Sequence, residues 1–253
     1  MTVLDLDELA DVVGEQPYPL LFATVSGAHL YGFPSKDSDV DLRGAHLLPA
    51  AEVVGLRTGP ETLSRMWDRD GAEVDLVSHD IAKFLRLLLR RNGYVLEQLL
   101  SPLVVTTSAA HAELVGLAPL CLTRHHAEHY RGFATTQWAL FGRTGELKPL
   151  LYTLRVLLTG IHLMRAHETV ADVGLLADVV PEAPAYLADL VTAKRSGEHD
   201  RFEGAHDRVA DDVTQLFVTL AEAQAATTLP DAPSAHAELH DLLVRLRLSA
   251  ASA

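Results

Sequence analysis

The stretch Ser26-Gly27-Ala28-His29-Leu30-Tyr31-Gly32, followed by Asp37-Ser38-Asp39-Val40-Asp41-Leu42-Arg43-Gly44, decides how this chain is read. Immediately upstream, Leu20-Leu21-Phe22-Ala23-Thr24-Val25 is a nearly continuous apolar run of the length a buried strand takes. After the turn set Pro34-Ser35-Lys36-Asp37-Ser38, the segment Asp39 to Leu47 alternates polar and apolar residues, the period of a half-exposed strand. Residues two apart on a strand share a face and lie roughly 7 Å apart along its axis. Asp39 and Asp41 therefore point one way while Val40 and Leu42 point into a core. Two carboxylates so placed repel each other unless a cation lies between them, and hard oxygen donors of this kind suit Mg²⁺.

An isolated Asp-x-Asp is more often a solvated strand face, so the context upstream carries the weight. The Ser26-Gly27-Ala28 bend directly follows a buried-type strand, where the free backbone N–H groups of a turn and helix start can hold phosphate oxygens. Gly27 permits close backbone approach, and Gly32 lets the chain turn back toward the aspartates. A phosphate seat and a magnesium seat on adjacent strands describe a nucleoside triphosphate site.

Working outward, Leu4 to Gly14 reads as an amphipathic helix stopped by Gly14, Pro17 and Pro19. Glu61 to Trp67 and Ala72 to Val77 read as strands joined by Asp68-Arg69-Asp70-Gly71, whose Asp-Gly favours a tight turn. Ser78 or Asp80 can cap a helix that starts near Ile81 and stops at Asn92-Gly93. Beyond Pro102 the texture becomes Ala/Leu-rich with apolar residues at three- and four-residue spacing and no strand alternation. The expected fold is α+β: a small mixed β-sheet core with flanking helices over residues 1–105, then an α-helical bundle over 106–253, with a proline-marked break at Leu229-Pro233 before a last helix.

Composition narrows the function classes. The chain has 253 residues with 21 Lys+Arg against 34 Asp+Glu, a formal net charge of −13. That balance works against sequence-independent coating of nucleic acid, which needs cations to displace counterions. The single Cys121 forms no internal disulfide and fits a reducing compartment. Met1 to Glu8 has neither the basic start nor the apolar stretch of a signal peptide, and no apolar run reaches the roughly 20 residues a bilayer requires. A cytoplasmic protein with no membrane partner is expected.

The Ser26–Gly32 and Asp37–Gly44 motifs together resemble the signature of the DNA polymerase β-type nucleotidyltransferase superfamily. More narrowly they are similar to its YcgL-like, RNA-repair-associated branch. The resemblance extends through Lys83-Phe84-Leu85-Arg86-Leu87, Asn92 to Leu100, Gly132-Phe133-Ala134-Thr135-Thr136-Gln137 and Lys148 to Arg155, and so covers most of the chain. It implies transfer of a nucleoside monophosphate from a nucleoside triphosphate to an acceptor hydroxyl, with pyrophosphate leaving. It also implies a two-metal Mg²⁺ site, with Asp39 and Asp41 as the motif's metal-binding carboxylates. Two metals can clamp both oxygens of an in-line displacement. A third carboxylate is implied on a neighbouring strand; Asp75 is the choice and Glu73 the alternate.

Donor-side candidates are Ser26, Gly27 and Ala28 at the bend, Arg43, and Lys148, Tyr152 and Arg155 on one helix face. Arg43 shares the aspartates' face, either to touch a phosphate or to neutralise them. Family members usually carry serine where this chain has Ala28, so a hydroxyl contact to the triphosphate is missing. An alternative follows from that departure: a catalytically weak or inactive nucleotide-binding module, for example an antitoxin-like partner of a helical toxin. His125, His126 and His129 lack a third ligand at metal spacing. Lys83, Arg86, Arg90 and Arg91 line one helix and read chiefly as a solvated face. The acceptor, whether small molecule, RNA end or protein, is left open by the sequence, as are the base and the oligomeric state.

Overall fold

The computed structural model describes residues 6–35, 38–69, 72–196 and 201–250. Lys36, Asp37 and the Asp70-Gly71 turn, expected features of the motif and of the second hairpin, lie outside the described residues, as do residues 1–5. In chain order the elements are α1 (Leu6–Gly14), β1 (Leu20–Val25), α2 (Gly27–Leu30), β2 (Val40–His46), α3 (Ala51–Val54), β3 (Thr62–Arg69), β4 (Ala72–Asp80), α4 (Ile81–Leu88), α5 (Gly93–Leu99) and β5 (Val104–Thr106). The helices α6 (Ala109–Cys121), α7 (His126–Thr144), α8 (Leu147–Ala166), α9 (Val173–Val179), α10 (Leu187–Ser196), α11 (His206–Ala226) and α12 (His236–Ala250) follow. The fold class is α+β, as the sequence leads one to expect.

The strands form one five-stranded sheet in the order β3-β4-β2-β1-β5. β1 pairs antiparallel with β2 and with β5, β3 antiparallel with β4, and β2 parallel with β4. Strand alternation sorts the side chains. Ala23, Val25, Val40, Leu42, Val74 and Leu76 are buried against Leu9 and Val13 of α1. The residues between them, Thr24, Asp41, Arg43 and Asp75, therefore share the opposite face.

Two expectations are corrected. Asn92-Gly93 does not stop the helix that starts at Ile81: α4 ends at Leu88, and Asn92 instead begins α5, its Oδ1 accepting from the backbone N–H groups of Tyr94 (3.1 Å) and Val95 (3.3 Å). Asparagine serves either end of a helix, and here the next turn takes it. The region after Pro102 is not purely helical, because β5 adds an edge strand to β1. Three residues are too few for alternation to register. Of the two caps left open, Asp80 takes the role by accepting from Ala82 N–H (3.0 Å), whereas the Ser78 hydroxyl pairs with His46 Nδ1 (2.9 Å).

The chain divides into two compact units. The first holds residues 1–27, 39–121 and 232–253, so α6 and α12, both beyond residue 105, belong with the sheet. α12 is fastened by Arg247, which donates to both oxygens of the buried Asp80 carboxylate (2.6 Å each) and to the Leu48 carbonyl (2.5 Å). The second unit holds residues 28–38 and 122–231. Its centre is α8, buried along most of its length and surrounded by α7, α9, α10 and α11. The 28–38 segment is tied to this unit by Val173 N–H donating to the Tyr31 carbonyl (3.0 Å) and by Arg195 donating to the Gly32 carbonyl (3.0 Å).

Candidate functional site

Asp41 and Asp75 are direct partners in the parallel β2–β4 register. Both carboxylates are partly exposed, and one guanidinium bridges them: Arg43 Nη2 donates to Asp41 Oδ1 (2.6 Å) and Asp75 Oδ2 (2.9 Å). Its Nη1 donates to the carbonyls of Leu42 (2.8 Å) and Asp75 (2.7 Å). Burial alone would lower the Arg43 pKa; the neighbouring Tyr94, then Asp41 and Asp75, outweigh it and hold it above its ordinary value. Of the two roles left open for Arg43, neutralising the aspartates is the one this structure displays.

Tyr94 was not among the sequence candidates. From α5, some fifty positions along the chain, it contributes to raising the Arg43 pKa. The only local signal is the Asn92 cap, which fixes where α5 starts and hence which way Tyr94 faces.

The bend after β1 is shaped around Asp41. Gly27 has φ of +62°, and a Cβ at this position would overlap the Asp41 carboxylate. Ser26 donates its backbone N–H to the Asp41 carbonyl (2.8 Å). The Ser26 side chain is fully buried, two residues after Thr24 on the face of Asp41 and Arg43, and its Oγ has no hydrogen-bond partner among the described residues. Ala28, half-buried, adds no hydroxyl.

Asp39 is exposed and precedes β2 by one residue. Among the described residues no three His, Cys, Asp or Glu side chains are gathered as a metal centre. Glu73 is exposed, pairs in register with Asp68 of β3, and lies before the start of the β2–β4 ladder. The structure thus sets Asp75, not Glu73, beside Asp41.

The donor set nevertheless fits Mg²⁺. That ion commonly takes one or two protein carboxylates and completes its shell with waters and substrate phosphates. Asp41 and Asp75 supply two hard donors side by side, with Asp39 two positions upstream and an orphaned buried hydroxyl on Ser26 nearby in sequence and face.

Lys148, Tyr152 and Arg155 lie on α8 in the second unit. Lys148 is exposed on the first turn. Arg155 is 2% exposed, with its guanidinium 3.6 Å from the centroid of the Tyr31 ring. Tyr152 packs edge-on to Tyr31 and Phe33. Elsewhere, His125 contacts Glu128 (3.2 Å) and Asp231 (3.7 Å), and burial pushes the Cys121 thiol up to about 11. Lys83 donates to Thr62 (2.5 Å) and Arg86 pairs with Glu61, as a solvated face would. No helix among the described residues is long and apolar enough to cross a membrane.

The bend that follows β1 and the register-paired carboxylates of Asp41 and Asp75 make up the candidate site. The family model of the RNA repair pathway DNA polymerase beta family matches residues 1–245, and the chain belongs to that family. It is similar to the uncharacterized protein MJ0002 of Methanocaldococcus jannaschii, at 32% identity over 154 residues, 60% of this chain and 63% of that protein. It is also similar to the uncharacterized protein YcgL of Bacillus subtilis, at 27% identity over 217 residues, 80% of each chain. Among solved structures, a nucleotidyltransferase-like protein from Exiguobacterium sibiricum aligns with a TM-score of 0.33 and 12% identity, over 87% of this chain and 71% of that one.

Proposed function

We propose that the protein is a Mg²⁺-dependent nucleotidyltransferase that moves a nucleoside monophosphate from a nucleoside triphosphate to an acceptor hydroxyl. The observation that carries this reading is the register pairing of Asp41 with Asp75, closed on one side by Gly27. In the reaction the acceptor oxygen bonds to the α-phosphorus, the α–β bridging bond breaks, and pyrophosphate departs with the bonding pair. Asp41, Asp75 and Asp39 would hold the metal, which when bound neutralises phosphate charge and stabilises the attacking and leaving oxygens.

The chain's own residues have separable tasks. Asp75 accepts the acceptor's hydroxyl proton. The backbone N–H groups at Gly27 and Ala28 orient phosphate oxygens, as free amides at a turn and helix start can. Arg155 supports the 31–33 segment through Tyr31. The family's RNA-repair description favours an RNA terminus as acceptor. The net charge of −13 suits end-on engagement better than extended coating.

The test is incubation with α-labelled nucleoside triphosphates, Mg²⁺ and RNAs bearing a free terminal hydroxyl. Labelled RNA is expected with the wild type and not with Asp41→Asn or Asp75→Asn. Label transfer that survives both substitutions overturns the assignment. A second reading, nucleotide binding without turnover, is favoured by Ala28 and by the Arg43 bridge. Nucleotide binding by calorimetry with no product on any acceptor would select it.

A further inference from the structure

The geometry points to Arg43 as a resident counter-ion that makes metal entry depend on nucleotide entry. This inference rests on the reading of Asp41 and Asp75 as the metal seat. Four hydrogen bonds hold the guanidinium: one to each carboxylate, and one each to the carbonyls of Leu42 and Asp75. The Arg43 side chain is only 11% exposed, so these bonds are shielded from water far better than those of a surface pair.

A divalent cation arriving alone must break a bridge of charge-assisted bonds and then sit beside a fixed positive charge. A nucleoside triphosphate changes that balance. It brings several negative oxygens that can both complete the metal's shell and take over the guanidinium. The Ser26 hydroxyl, buried on the same face, is a donor with no hydrogen-bond partner among the described residues. It compensates in kind for the hydroxyl that Ala28 lacks. The consequence is ordered loading: metal alone binds weakly, metal with triphosphate binds well, and metal-dependent side reactions are suppressed until the donor is present.

The test is a titration with Mn²⁺, free ion read by electron paramagnetic resonance, on the full chain with and without a non-hydrolysable nucleoside triphosphate. Without nucleotide, Arg43→Gln is expected to bind Mn²⁺ about tenfold or more tighter than the wild type. With the analogue, the wild type is expected to close most of that gap, and Asp41→Asn to lose binding under both conditions. Equal affinity of wild type and Arg43→Gln without nucleotide, in binding that Asp41→Asn removes, overturns the counter-ion role and leaves the metal seat standing. No binding by either protein even with the analogue overturns the metal seat as well. Circular dichroism checks folding; if Arg43→Gln does not fold, Arg43→Met serves, since it keeps much of the apolar stem and removes the charge. Wild-type affinity in Arg43→Met would again overturn the role.

Discussion

Asp41 on β2 and Asp75 on β4 face each other as register partners in the interior of the sheet, and Arg43 holds both carboxylates. Parallel pairing makes this juxtaposition a property of the fold, since a one-residue slip would send every side chain of the strand to the other face. Asp75→Asn is therefore expected to reduce nucleotidyl transfer by on the order of 100-fold or more. Glu73→Gln, at an exposed position outside the ladder, is expected to leave activity within about threefold. Steady-state rates for the two variants check the assignment.

Gly27 is specified by its neighbour as well as by its backbone. Its φ of +62° and the overlap a Cβ would make with Asp41 both oppose substitution. Gly27→Ala is expected to cost about 1–2 kcal/mol from the backbone conformation alone, with additional loss of nucleotide binding as Asp41 is displaced. Gly116, on the exposed side of α6 with nothing near its would-be Cβ, is the control. Gly116→Ala is expected to stabilise by about 0.5–1 kcal/mol. Denaturant unfolding measures both.

Arg247 and Asp80 connect the last helix to the centre of the sheet unit. Arg247→Met leaves Asp80, 2% exposed, as an uncompensated charge. A loss of about 3–5 kcal/mol is expected. The exposed Arg245 pairs with Glu113 on the surface, and Arg245→Ala is expected to cost about 1 kcal/mol or less.

How much of this was legible in the sequence follows from the range of each interaction. β1 is bounded as read, Leu20 to Val25, because a short apolar run between turn residues is a local signal. The second hairpin and the face shared by Asp41 and Arg43 are local too. Asn92 was ambiguous because the same side chain suits either end of a helix. β5 was invisible because a three-residue edge strand is defined by its partner, β1. Asp75 was chosen over Glu73 from the sequence, and the β2–β4 register sets it beside Asp41; Tyr94 needed the path of α5, which is not encoded near Arg43.

Acid should destabilise the sheet unit through its histidines. Burial, followed by Lys83, His46 and Arg43, pushes His79 down to about 4, and burial likewise lowers His46. The unfolded chain then binds protons that the folded chain refuses. Stability is full above the ordinary histidine value of about 6.5 and falls as pH drops toward 4. Unfolding free energies across that window are expected to show a slope approaching one proton for His79, reduced in His79→Gln.

The most direct measurement is pyrophosphate release from a nucleoside triphosphate and Mg²⁺ in the presence of an RNA terminus, compared across wild type, Asp41→Asn and Asp75→Asn of verified fold. The account predicts release by the wild type and its loss in both variants. Release that persists undiminished when either carboxylate is removed would contradict it.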